Sequence, residues 1–268
     1  MDHVFATAAE RGRRILIPFI TAGDPDPAWT VPIMHALVAG GADLIELGVP
    51  FSDPMADGPV IQASSERAIA RGVDLAGVLE MVRAFRADDV DTPVVLMGYM
   101  NPVERFGVDA LAGAFRSAGV DGLLMVDCPP EELVALQPAL DAAGAYAVLL
   151  VAPTTTEHRL QQIARAARGF IYYVSFKGIT GAGRLDTAAL QEPLARIRRH
   201  SQLPVAVGFG IKDPAAAAAV AQHADAVVIG SALVENLVGS DAAEEACGRA
   251  REFVASMRES LDNMAGSE

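Results

Sequence analysis

The sequence predicts an α/β fold: a (β/α)8 TIM barrel with an extra N-terminal helix and additional helices, built as one domain over residues 1–268. Three observations carry this. Eight short, nearly continuous apolar runs rich in Val, Ile and Leu recur along the chain, alanine-rich helical segments alternate with them, and no low-complexity linker interrupts the series. Apolar runs without alternation mark strands buried on both faces, as in a parallel sheet. Strand–helix alternation sustained through eight regular units favours ring closure over an open, doubly wound sheet.

Asp2–Glu10 forms the leading helix, and Ile15–Thr21 is the first strand. Leu44–Val49 is the second, followed by the longest interval, with room for a long loop and an extra helix. Val94–Tyr99, Gly122–Asp127 and Ala145–Ala152 are strands three to five, with a helix over Glu131–Ala142. A helix over Glu157–Ala166 leads to strand six, Phe170–Ser175, and one over Leu190–Arg199 leads to strand seven, Val205–Gly210. Asp213-Pro214 sets a capping side chain before a proline at the first helical position, so Pro214–Ala221 is helical. Ala226–Ser231 completes the strands, and Asp241–Asp262 is a closing helix.

Half of the residues are hydrophobic, ample for one large core, and the formal charge is −13. So acidic a chain repels nucleic acid and anionic membranes, which leaves metabolites or proteins as partners. The two cysteines, Cys128 and Cys247, lie far apart and form no CxxC pair, which argues against a zinc site or a disulfide framework and for a reducing cytoplasm. Met1–Arg14 is charged and lacks a signal-peptide segment, and runs such as Ala145–Ala152 are too short to span a bilayer.

In such barrels the chemistry sits at the C-terminal ends of the strands. Strand seven ends Val207-Gly208-Phe209-Gly210 and strand eight ends Val228-Ile229-Gly230-Ser231. Glycines there let backbone N–H groups approach an anion, and a short helix from Ser231 adds its positive end. A phosphate held by backbone dipoles reconciles an anionic substrate with an acidic protein. Glu46 stands within the apolar run Leu44–Val49, where a carboxylate is costly unless paired or used, and where burial raises its pKa towards proton-transfer range. The following segment, Pro50 to Pro59, is stiffened by prolines and holds Asp53 and Asp57.

Those residues also carry a family resemblance. Glu46-Leu47-Gly48-Val49-Pro50-Phe51-Ser52-Asp53-Pro54, followed by Ala56-Asp57-Gly58-Pro59, resembles the signature of the tryptophan synthase α subunit. Pro18 to Pro25, Gly98-Tyr99-Met100-Asn101-Pro102, Asp127, Tyr172–Ser175, Gly178-Ile179-Thr180-Gly181 and the two phosphate segments extend the match along nearly the whole chain. The resemblance implies retro-aldol cleavage of indole-3-glycerol phosphate to indole and glyceraldehyde 3-phosphate in L-tryptophan biosynthesis. It places the catalytic carboxyls on Glu46 and Asp57 and substrate contacts on Phe19, Tyr172, Thr180, Gly181, Phe209, Gly210, Gly230 and Ser231, with Met97 and Leu124 lining the indole pocket. It implies no metal and no cofactor in this chain, and a pyridoxal-phosphate β subunit as partner in an αββα heterotetramer. The loop from Phe176 to Leu185, with Gly178, Gly181 and Gly183, corresponds to the family's mobile loop, though Ser175-Phe176-Lys177-Gly178 departs from a Ser-Arg-Ala-Gly form found in the family.

Three other readings compete. Ribulose-phosphate epimerase and indole-glycerol-phosphate synthase need a metal cluster or a catalytic Lys within the strands, and the only lysines, Lys177 and Lys212, lie in loops. A stand-alone lyase releasing indole shares every residue above. A non-catalytic activator subunit would have no use for Glu46 and Asp57.

Overall fold

β1 (Ile15–Thr21) pairs with both the second strand and the last, and this double pairing closes the sheet. The computed structural model describes residues 1–174, 188–208 and 210–265. Among them β2 (Ile45–Gly48), β3 (Val94–Gly98), β4 (Gly122–Met125), β5 (Tyr146–Val151), β6 (Ile171–Val174), β7 (Val205–Gly208) and β8 (Ala226–Ile229) follow β1 in strict neighbour order, all parallel. The expected barrel is therefore present. Apart from β1, the regular strands are one or two residues shorter than the apolar runs, which include residues flanking the regular pairing.

Each strand is buried on both faces, but the faces serve different cores. Leu16 and Ile20 of β1, Ile45 and Leu47 of β2, and Leu96 of β3 point outward, into the layer between sheet and helices. Ile15 and Ile17, Leu44 before β2, Val95, Leu124, Val148, Ala206 and Val228 point inward and fill the barrel. Side-chain period two puts Phe19, Glu46 and Met97 on the inward set of β1, β2 and β3. Apart from Glu46 both sets are almost wholly apolar, which is why the strands read as continuous runs.

The helices are α1 (Asp2–Glu10), α2 (Thr30–Ala39), α3 (Pro59–Ala70), α4 (Leu75–Phe85), α5 (Met100–Phe106), α6 (Val108–Ala118), α7 (Pro130–Ala143), α8 (Glu157–Ala166), α9 (Ala188–Arg198), α10 (Pro214–Ala221), α11 (Ser231–Leu237) and α12 (Ala243–Ala265). Asp74 caps α4 through the Gly77 amide, and Asp213 caps α10 through the Ala216 amide ahead of Pro214. The interval after β2 holds two helices, α3 and α4, one more than the standard unit. α1 plugs the N-terminal end of the barrel: its Phe5 ring meets Phe170 at 5.6 Å, and Tyr146 donates to Asp2 at 2.7 Å. α12 locks the ring from outside, since Arg258 donates to the Arg14 carbonyl and to Asp43, and Asp43 also accepts the Leu16 amide at 2.8 Å.

Candidate active site

Glu46 is 2% exposed, in register with Phe19 of β1 and Val95 of β3. Its Oε1 has no hydrogen-bond partner among the described residues. Removal from water disfavours its charged form, and the nearby negative charge of Asp57 adds to this, so its pKa rises to about 8. At neutral pH Glu46 is therefore a protonated acid within the barrel.

Asp57 arrives from the other side, on the loop between β2 and α3. The loop is held by its own backbone, with the Met55 amide on the Asp53 carbonyl and the Asp57 amide on the Pro54 carbonyl. Gln62, in the first turns of α3, donates its side-chain amide to the Asp57 carbonyl at 2.8 Å and to that of Pro54 at 3.4 Å. Burial raises the Asp57 pKa to about 6, opposed by a hydrogen bond from the Tyr99 phenol. The Tyr99 oxygen also accepts the Ala56 amide at 3.1 Å, so one side chain fixes both the loop backbone and the carboxylate. Asp57 remains mostly ionised at neutral pH. Asp53, the other acid of this loop, is exposed and accepts from the Ser52 hydroxyl, the arrangement of a turn residue.

The remaining inward residues gather round these two. Phe19, Met97, Asp57 and Tyr99 line one small cavity of about 10 Å3 with Thr21 and Ser65, and Leu124 is the register partner of Met97. The Tyr172 phenol has its pKa raised by burial and then by the fields of Glu46 and Asp57, which places it beside both. A Cβ on Gly208 would stand 2.1 Å from the Tyr172 oxygen, so the glycine at the end of β7 makes room for that phenol. Gly210 has φ +75°, a conformation that favours glycine on backbone grounds alone. A Cβ on Gly230 would meet Phe19 at an ordinary 3.5 Å, and Ser231 opens α11, whose first N–H groups have no acceptor within the helix.

Of the predicted site residues, Thr180, Gly181 and Phe209 lie outside the described residues, as do Ser175, the Phe176-Lys177 departure and the loop to Leu185. Two residues of the assembled site were not singled out from sequence. A tyrosine at a strand end reads as an ordinary strand former, although its place within Gly98-Tyr99-Met100-Asn101-Pro102 was a usable signal. Gln62 sits on a helix and gave none. Among the described residues, no three His, Cys, Asp or Glu side chains gather in a way that could hold a metal ion. Both cysteines are free thiols, and no helix is long and apolar enough to cross a membrane. His35 packs on the Phe85 ring at 4.7 Å between α2 and α4.

Comparison with known proteins extends the picture to the whole chain. The sequence model of a family described as tryptophan synthase alpha chain matches residues 5–262. A tryptophan synthase alpha chain from Laribacter hongkongensis is 57% identical over 262 residues, covering 98% of each chain, and one from Burkholderia thailandensis is 56% identical over 265 residues, covering 99% of this chain and 97% of its own. The crystal structure of tryptophan synthase subunit alpha from Legionella pneumophila superposes with a TM-score of 0.91 at 42% identity, covering 98% of both chains. An aminoacrylate-bound tryptophan synthase from M. tuberculosis superposes at 0.86 and 36% identity, covering 97% of this chain and 98% of that one.

Proposed function

This chain belongs to the tryptophan synthase alpha chain family, and from that premise we propose how its residues divide the work of the family's reaction. The protein is a carbon–carbon lyase of L-tryptophan biosynthesis, which cleaves indole-3-glycerol phosphate to indole and glyceraldehyde 3-phosphate. Another phosphate-binding barrel and a stand-alone lyase are not favoured beside a family match running from residue 5 to residue 262.

One observation carries the assignment of roles: two neighbouring carboxyls whose environments hold them in opposite protonation states at neutral pH. Glu46, neutral, gives its proton to C3 of the indole ring. The cation this creates on the ring is stabilised by ionised Asp57 at the indole N–H. Glu46, now a carboxylate, takes the proton from the glycerol hydroxyl on the carbon bonded to C3. The O–H electrons form the aldehyde carbonyl, the carbon–carbon bond breaks, and its electron pair restores the neutral indole. The net transfer is one proton from oxygen to C3, and Glu46 ends as it began.

Phe19, Met97 and Leu124 would flank the indole, with Tyr172 beside the reacting carboxyls. The phosphate would lie on backbone N–H groups at Gly210, Gly230 and Ser231. Thr180, Gly181 and Phe209 complete the site by family resemblance. The chain works as one barrel over 1–268 in the cytoplasm, without a metal or cofactor of its own. Its partner is the family's β subunit, in an αββα assembly where pyridoxal phosphate belongs to the partner. Release of indole from indole-3-glycerol phosphate, assayed with and without β subunit, tests this reading. Release that β subunit accelerates supports it. No cleavage in either case refutes the lyase assignment, and cleavage indifferent to β subunit refutes the assembly.

A further inference from the structure

The helical layer opens at the N-terminal end of the barrel, opposite the strand ends that carry Glu46 and Asp57. A cavity of about 520 Å3 lies there between one face of α9, through Gln191, Leu194 and Arg198, and the α10–β8 turn, through Gln222, His223 and Asp225. A second, of about 290 Å3, continues it beneath α1, and the two share Arg14, Arg198 and Asp225. The second part is lined in about equal measure by polar groups and by apolar ones, among the latter Phe5, Ala8, Ile15, Leu203 and Pro204. Together they match the usual size of a small-molecule site.

Charge decides what such a cleft attracts. Both α9 and α10 end here, so their carbonyl ends contribute negative potential. Arg198 answers that potential, donating to the His223 carbonyl at 2.9 Å and to Asp225 at 3.2 Å. Asp225 is further engaged by the Val205 amide. Two cations remain. The half-buried guanidinium of Arg14 has no acceptor among the described residues, and Arg199 is held only loosely, by Glu192 at 3.7 Å with both side chains well exposed and by the field of the exposed Glu157. The amides of Gln191 and Gln222 likewise have no side-chain hydrogen bond among the described residues, so neutral donors stand beside the uncompensated charge. In a chain of net charge −13, the larger cavity is lined by three arginines, Arg14, Arg198 and Arg199, against one acid, Asp225. Guanidinium groups match the planar geometry of carboxylate and phosphate oxygens.

We propose that this cleft is a second ligand site, for a small organic anion whose carboxylate or phosphate head is held by Arg14 and Arg199 and whose compact apolar body lies beneath α1. The distribution of donors and apolar surface favours an aromatic or branched body over a bare ion, because the apolar part of the cleft would otherwise gain nothing from occupancy.

The test is an amide-shift titration of the full chain with phenyl phosphate and, separately, with phenylacetate. Saturable shifts are expected at Arg14, Arg198, Arg199 and His223. The double variant Arg14→Met, Arg199→Met keeps the apolar stems and should weaken that binding about tenfold or more, as loss of charge-assisted hydrogen bonds implies. Indole release should be unchanged, because neither residue approaches Glu46 or Asp57. Response to phenyl phosphate alone identifies a phosphate head, and response to phenylacetate alone a carboxylate head. Shifts at Gly230 and Ser231 report the phosphate position proposed at the other end and do not count. Absence of shifts in the cleft with either probe overturns the proposal, as does cleft binding that the double variant leaves intact.

Discussion

The phenol of Tyr99 donates to the carboxylate of Asp57 while its oxygen accepts the amide of Ala56, the residue before it, at 3.1 Å. The loop that delivers Asp57 is therefore tied to the end of β3 through one side chain. Tyr99→Phe keeps the ring and its packing on Phe51, 5.2 Å away, but removes both hydrogen bonds. That hydrogen bond lowers the Asp57 pKa, so the acid limb of the pH–rate profile should move above about 6, and turnover should fall about tenfold or more. An acid limb that stays in place would show that Tyr99 does not act through Asp57.

Glu46→Gln retains the size of the side chain and cannot exchange the proton. Indole release should drop by at least about a hundredfold. Stability gives an independent reading. A carboxyl raised from 4.5 to about 8 on folding stabilises fully below the lower value, and that contribution is lost as pH rises through the upper one. Gln stays neutral throughout. Denaturant unfolding should therefore show the variant gaining on the natural protein between about pH 5 and about pH 9. A difference that does not change with pH would mean that Glu46 is not held neutral by burial.

In the proposed mechanism Asp57→Asn removes a charge needed only when the ring becomes cationic. Cleavage should fall by roughly two orders of magnitude with substrate affinity little altered. The proposed mechanism needs Glu46 protonated and Asp57 ionised, so kcat/KM should be bell-shaped with limbs near 6 and 8. In the variant the acid limb should vanish. The basic limb should fall below about 8, because the repulsion from Asp57 is gone while burial remains. Weakened binding at an unchanged catalytic rate would reduce Asp57 to a substrate-positioning role.

Gly230→Val separates the phosphate site from the fold. Its Cβ meets Phe19 at an ordinary 3.5 Å, and its φ of −113° lies outside the left-handed region that favours glycine. Calorimetry should show binding of glycerol 3-phosphate lost and thermal unfolding little changed. Gly210 is the poorer probe, since φ +75° makes any substitution there strained. Normal phosphate binding by Gly230→Val would place the anion elsewhere.

Glu46 is legible because it breaks a local rule, a carboxylate in an apolar strand, whereas Asp57, which shares its proline-stiffened loop with Asp53, is singled out only by the family resemblance. The helices Asp2–Glu10, Glu157–Ala166 and Pro214–Ala221 were legible to the residue, because a cap, a proline or a charge run marks their ends. The division of each strand between two cores was not, since inward Ile17 and outward Leu16 are chemically alike. Nor was the support of Asp57. Tyr99 reaches Ala56 across 43 positions of chain, and only the parallel pairing of β2 with β3 brings the end of β3 beside the loop after β2. The opposite protonation of Glu46 and Asp57 likewise needs to be read from burial, which residue type alone does not supply.

The pairing of β1 with β8 has a consequence during synthesis on the ribosome. A ring of parallel strands has no edge, but this one gains that property only when Ala226–Ile229 has been made. Until then Ile15–Thr21 presents one side of its backbone unpaired, on a segment without a charged residue. The nascent chain thus carries an adhesive margin for most of its length, and the last strand removes it. Chains truncated before β8 should accordingly collect in inclusion bodies, whereas chains shortened only within the last turn of α12 should stay in solution.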